Sequence, residues 1–114
     1  MGNSTAPRKY SPMSHGYDTW LGTVLGNNPK MEPYDVSLIW NLVLDDEPVQ
    51  APLKMDNLTL MFTAHACNFI EKAAQDNRPF LFVFNFMHVH VQMFASDWFR
   101  GSSSQGAFAD NVRE

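Results

Sequence analysis

The chain has 114 residues, of which 45% are hydrophobic and 18% are charged, and its formal net charge is −4 at pH 7. This apolar content excludes a disordered chain, and the length is that of one domain. The eight basic residues are scattered, so the sequence has no electrostatic footprint for nucleic acid. No apolar run approaches the ~20 residues of a membrane-spanning helix. The single cysteine excludes an internal disulfide.

Residues 1–36 are rich in Gly, Pro, Asn and Ser, and we expect them to form mostly loops. They lack the apolar stretch of a secretory signal peptide. Two N-glycosylation sequons, at Asn3 and Asn57, nevertheless favour a piece of a secreted protein without its front end, although sequons also arise by chance.

A β-hairpin is predicted over residues 37–53. An apolar, β-prone run leads into the turn Asp45-Asp46-Glu47-Pro48, and a shorter run returns. The second strand carries two prolines, which donate no backbone hydrogen bond, so it must lie at a sheet edge. The three acidic residues indicate a solvated turn rather than a calcium site.

A helix is predicted over residues 56–77. Asp56 is a suitable N-cap, and the helix ends before Arg78-Pro79 because a proline disfavours helix in the residue before it. Apolar side chains at spacings of three and four share one face: Leu58, Phe62, Ala66, Phe69 and Ile70.

Residues 79–87 are apolar on both faces, which predicts a core strand buried on both sides, as in a parallel sheet covered by helices. A helix followed directly by such a strand is an α/β unit. A two-faced strand needs neighbours on both edges, so the hairpin and the helix–strand unit belong to a larger central sheet. Residues 88–106 are expected to form a loop with one helical turn at 96–99, and 107–114 to begin another helix.

His88 and His90 directly follow the predicted strand. Ligand sites of open α/β sheets lie at the carboxyl ends of strands, and extended residues two apart face the same way, so both imidazoles could address one site. The alternative is that both merely cap the strand with hydrogen bonds. Because His15 and His65 are remote, no metal site is predicted within this chain. For Cys67, a buried inert thiol is favoured over a nucleophile.

Five segments in collinear order carry a further signal: His15-Gly16-Tyr17-Asp18, Asn57-Leu58-Thr59, Arg78-Pro79-Phe80-Leu81-Phe82, His88-Val89-His90 and Gly106-Ala107-Phe108-Ala109-Asp110. Together they resemble motifs of the type I sulfatases, in particular the arylsulfatases and N-acetylgalactosamine-6-sulfatase. The resemblance implies a partial alkaline-phosphatase-like fold, with residues 1–114 an internal fragment of the N-terminal catalytic domain and 88–106 an active-site loop.

The resemblance also implies an activity, the hydrolysis of sulfate esters of sugars or aryl compounds. In that family the nucleophile is a formylglycine made from the cysteine of a Cys-x-Pro-Ser-Arg motif, and one calcium ion is bound. This sequence lacks the motif, and by the resemblance the calcium ligands lie outside it, so the chain alone is expected to be inactive. By the resemblance, His90 contacts the sulfate or the leaving oxygen, and His88 has a supporting role.

By the same resemblance, the parent protein is expected to be lysosomal or secreted. A competing hypothesis from another functional class is a non-catalytic pseudo-sulfatase, or a binding module that recognises a sulfated glycan or a protein partner.

Overall fold

The computed structural model describes residues 10–23, 30–31, 34–35, 41–90 and 93–114. The chain divides into two compact units, Met1–Lys54 and Met55–Glu114. Asn3 and residues 37–40 of the predicted hairpin lie outside the described residues. In chain order the elements are a 3₁₀ helix Pro12–His15, strands β1 Leu21–Thr23, β2 Lys30–Met31, β3 Tyr34–Asp35, β4 Leu42–Leu44 and β5 Glu47–Gln50, and helices α1 Leu58–Gln75 and α2 Ala107–Arg113.

The first unit contains a three-stranded antiparallel sheet in the order β1-β4-β5, and β2 pairs with β3. The predicted hairpin is confirmed as β4–β5, which closes through Asp45 and Asp46. Their φ angles of 49° and 71° are the left-handed values that a two-residue hairpin turn requires. β5 lies at the edge of the sheet, as predicted, and its Pro48 is opposite Val43.

β1 falls in the region predicted as loop, and the acidic turn explains its position. The backbone N–H of Trp20 donates to Asp45 Oδ1 at 2.9 Å, and the indole Nε1 donates to Asp46 Oδ1 at 3.0 Å. Asp45 N–H in turn donates to the carbonyl of Trp20 at 3.0 Å. The two carboxylates therefore tie the residues just before β1 to the β4–β5 turn.

α1 matches the helix predicted over 56–77 to within two residues at each end. Leu58, Phe62 and Ala66 are buried at the four-residue spacing of one helix face. Ile70 was expected on that face but is exposed: each four-residue step advances about 40° around the helix, so Ile70 lies about 120° from Leu58. Thr59 is also buried, and its hydroxyl makes no hydrogen bond within the described structure.

The two ends of α1 differ in how well the sequence predicts them. The N-cap position is held by Asn57, not by Asp56, whose carboxylate accepts a hydrogen bond from Arg100 at 2.9 Å. At the other end Asn77 adopts a left-handed φ of 49°, and its N–H donates to the carbonyl of Ala74 at 3.2 Å. The N–H of Arg78 reaches the carbonyl of Ala73 at 3.4 Å, which completes a Schellman motif.

The strand predicted over residues 79–87 is wrong for this structure, since these residues pair with no strand among those described. Phe82 is half-buried and stacks on Phe69 of α1, with ring centroids 5.1 Å apart. Leu81 and Val83, which alternate with it, are exposed. Phe80 and Phe82 therefore contact Phe69 of α1, whereas Leu81 and Val83 expose apolar surface.

The parallel α/β sheet expected from the sequence is therefore not formed by the described residues, whose strand pairs are all antiparallel. Because residues 79–87 are apolar on both faces, their composition suits a central strand that is covered on both faces and paired at both edges. In the described sheet, β1 and β5 each pair with the central strand β4. The larger central sheet remains a prediction.

We expect the 114-residue chain to self-associate in solution. Leu81 is 80% exposed and Phe86 72% exposed, so the segment presents apolar surface to solvent. Size-exclusion chromatography should show species larger than the 13.0 kDa monomer, and Leu81→Lys with Phe86→Lys should shift them toward the monomer. A sharp monomer peak with cooperative unfolding of the unmodified chain would contradict this expectation.

Candidate functional site

The candidate site lies in the second unit, where the segment after His88 packs against α2. The helical turn predicted at 96–99 is confirmed, because the N–H groups of Phe99 and Arg100 both donate to the carbonyl of Ser96 at 2.9 Å. The following loop is held by Asp110 of α2, whose carboxylate oxygens accept the N–H groups of residues 101 and 103, each at 2.8 Å. α2 thus orders the loop by hydrogen bonds to its backbone.

His88 is buried, with only 7% of its side chain exposed. Its ring lies against Phe94, with ring centroids 4.5 Å apart. Its Nε2 lies 3.5 Å from Oε2 of Glu114, a carboxylate whose side chain is 1% exposed. Neither ring nitrogen makes a hydrogen bond within the described structure. The contact with Glu114 is an ion pair when the imidazole carries a proton.

His90 lies in a different environment, since it is exposed and no hydrogen bond of its imidazole occurs among the described residues. The two imidazoles, which could have addressed one site from an extended strand, therefore lie in different environments in the described structure. Residues 89 and 90 form a bend rather than a strand, so the rule that residues two apart share a face does not apply. Only His90 is presented to solvent.

A buried polar face of α2 holds the segment that follows the histidines. Asn111 accepts the N–H of Phe94 at 3.1 Å and donates to the carbonyl of Ala107 at 2.9 Å. Glu114 accepts the N–H of Ser96 at 2.8 Å. Sequence reasoning missed both residues. The available signal was the polar triplet 110, 111 and 114, which shares one face of a helix at spacings of three and four.

A cavity of about 390 Å³ lies beside this segment, and neither His88 nor His90 lines it. Arg100 lines it together with Asp56, and their charges already pair at 2.9 Å. A second guanidinium nitrogen of Arg100 lies 3.4 Å from Asp97. The positive charge at this cavity is therefore balanced by the protein's own carboxylates.

The other candidate residues lie apart from this site. Cys67 is exposed, which corrects the expectation of a buried thiol. In the part of the chain that the structure describes, no three His, Cys, Asp or Glu side chains are placed to hold a metal ion. No helix among the described residues is long and apolar enough to cross a membrane.

We expect an N-linked glycan at Asn57 when the protein is made in a secretory host. Asn57 is exposed and precedes α1, so a bulky, solvated sugar fits there. Treatment with an amide-cleaving glycosidase should lower the mass of the proteolytic peptide that contains Asn57 by one glycan, and Asn57→Gln should abolish the change in that peptide, whatever occurs at the Asn3 sequon. Asn41, which begins no sequon, supplies the matched control Asn41→Gln. A mass that is unaffected by the glycosidase would contradict the assignment.

Comparison with known proteins places the chain among sulfatases. It is 40% identical to human steryl-sulfatase over 68 residues, which cover 60% of this chain and 11% of that protein. It is 29% identical to the N-acetylgalactosamine-6-sulfatase of Canis lupus familiaris over an alignment of 117 positions, which covers 93% of this chain and 22% of that protein. Human arylsulfatase H is 34% identical over 83 residues, 71% of this chain and 14% of that protein.

The chain thus spans between 11% and 22% of the length of these relatives. No family model and no solved structure matches it.

Proposed function

Because this chain belongs to the sulfatase family, we propose that it is a segment of a hydrolase that cleaves sulfate esters. The similarity to N-acetylgalactosamine-6-sulfatases covers 93% of the chain and supports an alkaline-phosphatase-like catalytic domain around it. In this proposal, residues 88–106 form part of the wall of the active site.

The single observation that supports a role for this segment in the reaction is the different burial of its two histidines. A group that contacts a substrate must be accessible, and His90 is exposed. A group that only supports the site can be buried, and His88 is buried against Phe94 and Glu114. This contrast supports His90 as the catalytic residue and His88 as its support.

The chemistry suits an imidazole at this place. When a sulfate ester is cleaved, negative charge develops on the leaving oxygen and on the sulfate oxygens. A histidine can donate a hydrogen bond or a proton to either, since imidazole changes its protonation near neutral pH. We assign this donation to His90, with the leaving oxygen or a sulfate oxygen as acceptor.

The remaining groups of the reaction come from other parts of the enzyme in this proposal. The described residues do not fit a calcium site, because no three acidic, His or Cys side chains converge. The lone cysteine is followed by Asn68-Phe69-Ile70, which does not match a formylglycine motif. We therefore assign the calcium ion and the formylglycine nucleophile to segments outside this chain, and the substrate to sulfated sugars or aryl sulfates. A lysosomal or secreted location is part of the same proposal.

An activity assay of the full-length protein that contains this segment tests the proposal. With an aryl sulfate and calcium, the enzyme should release sulfate and the phenol in equal amounts, whereas the purified 114-residue chain should release neither. Binding of a sulfated glycan by the full-length protein without release of sulfate would overturn the proposal and favour the binding module.

A further inference from the structure

We infer that Glu114 is a positioning residue that holds the segment carrying His90, an inference that rests on the proposed function. Its carboxylate contacts two points of the chain on either side of His90. Oε2 lies 3.5 Å from Nε2 of His88 and accepts the N–H of Ser96 at 2.8 Å. One buried oxygen at the end of α2 thus joins both ends of the segment 88–96.

The burial of Glu114 makes this contact energetically significant. A carboxylate that is 99% shielded from water loses its hydration and needs hydrogen bonds or a counter-charge in return. The N–H of Ser96 supplies one hydrogen bond. Among the described residues, no lysine or arginine pairs with Glu114, and its neighbour Arg113 donates to the carbonyl of Ser102 instead. The imidazole of His88, 3.5 Å away, is therefore the side chain that the described structure places beside this carboxylate.

The contact between His88 and Glu114 also stabilises the buried imidazole. Its two ring nitrogens are buried without hydrogen bonds, and a buried polar group without a partner is destabilising. A small approach of the ring to Glu114 would convert the 3.5 Å contact into a charge-assisted hydrogen bond. Phe94 closes the opposite side of the ring, so the imidazole has little freedom to turn elsewhere.

The geometric consequence concerns His90. A chain segment that is held at two points samples fewer conformations than one with a single attachment. Because Glu114 contacts His88 on one side of His90 and Ser96 on the other, we expect it to restrict where the exposed imidazole can lie. Catalytic groups lose efficiency steeply when they are displaced by about 1 Å, and the loss can reach ~100-fold. Glu114 therefore acts on the reaction through the position of His90, without contacting the substrate.

The experiment uses Glu114→Gln and Glu114→Ala in the full-length protein, with Glu71→Gln as the matched control. Glu71 is an exposed carboxylate on α1. We expect kcat per folded molecule to fall about 10- to 100-fold in Glu114→Ala, with little change in KM, and less in Glu114→Gln, which still accepts the Ser96 N–H. Hydrogen exchange should accelerate in residues 88–96 but not in α1, and Glu71→Gln should change neither.

A double-mutant cycle makes the inference independent of the activity. Because His88→Ala and Glu114→Ala remove the same contact, the double variant should lower the thermal midpoint by less than the sum of the two single variants. If the unmodified protein releases no sulfate, the proposed function fails, while hydrogen exchange and the cycle still decide the role of Glu114. Unchanged exchange in residues 88–96 together with additive midpoints would overturn the inference. If Glu114→Ala does not fold, the nearly isosteric Glu114→Gln replaces it. Hydrogen exchange is then measured on Glu114→Gln, and the double-mutant cycle combines Glu114→Gln with His88→Ala.

Discussion

His90→Ala is expected to lower the turnover of the full-length enzyme by about 100- to 1000-fold, the usual cost of removing a donor to developing negative charge. The thermal midpoint should change little, since the His90 side chain is exposed and makes no hydrogen bond with the described residues. His88→Ala should reduce turnover less but lower the midpoint more, because its ring is buried between Phe94 and Glu114. Turnover and thermal unfolding of both variants measure the two effects.

A third variant, His65→Ala, controls for the loss of an imidazole as such. His65 lies on α1, away from the segment 88–106 in sequence, and should leave turnover unchanged. If His90 only ends its segment without contacting substrate, His90→Ala will instead show near-normal turnover per folded molecule. A larger loss of turnover in His88→Ala than in His90→Ala would reverse the roles assigned to the pair.

Leu58→Ala is expected to destabilise the full-length protein by about 2–5 kcal/mol, the range for truncating a fully buried leucine. Leu58 is 0% exposed at the start of α1, where the deleted methyl groups leave a cavity. Leu60→Ala is the matched control, since this residue of the same helix is 43% exposed and its truncation should cost about 0.5 kcal/mol or less. Urea unfolding monitored by tryptophan fluorescence compares the two variants. Equal midpoints would show that the α1 face is not part of the core.

The sequence predicts well the elements whose structure is determined by residues close together in the chain. The α1 face repeats every four residues, and its end is marked by Asn77 and by the proline that follows. The hairpin turn is set by two adjacent aspartates with left-handed φ angles. Each of these features depends on residues a few positions apart, so the sequence pattern alone predicts them.

Features that depend on distant partners were predicted poorly. β1 is a three-residue strand whose pairing with β4 depends on residues 19 to 23 positions away, and its own sequence has no strand pattern. The run 79–87 has the composition of a core strand, but a strand forms only where another edge is available to pair with. None of the described strands pairs with residues 79–87.

The candidate site shows the same division. The histidine pair could be found from its place after an apolar run, and the family resemblance separated His90 from His88. Glu114 could not be found in this way, because its importance comes from burial and from contacts with residues 18 and 26 positions earlier. A carboxylate near the end of a short helix usually looks like an ordinary solvated side chain.

The buried hydroxyl of Thr59 has a consequence for the order of events during biosynthesis. The enzyme that attaches the sugar must read both Asn57 and the threonine two positions later. In the packed helix that hydroxyl is inaccessible, although Asn57 itself remains exposed. In a secretory host, the sugar must therefore be added before the first turn of α1 packs and buries the Thr59 hydroxyl. The fraction of molecules that carry it would then record how quickly α1 packs after it leaves the ribosome.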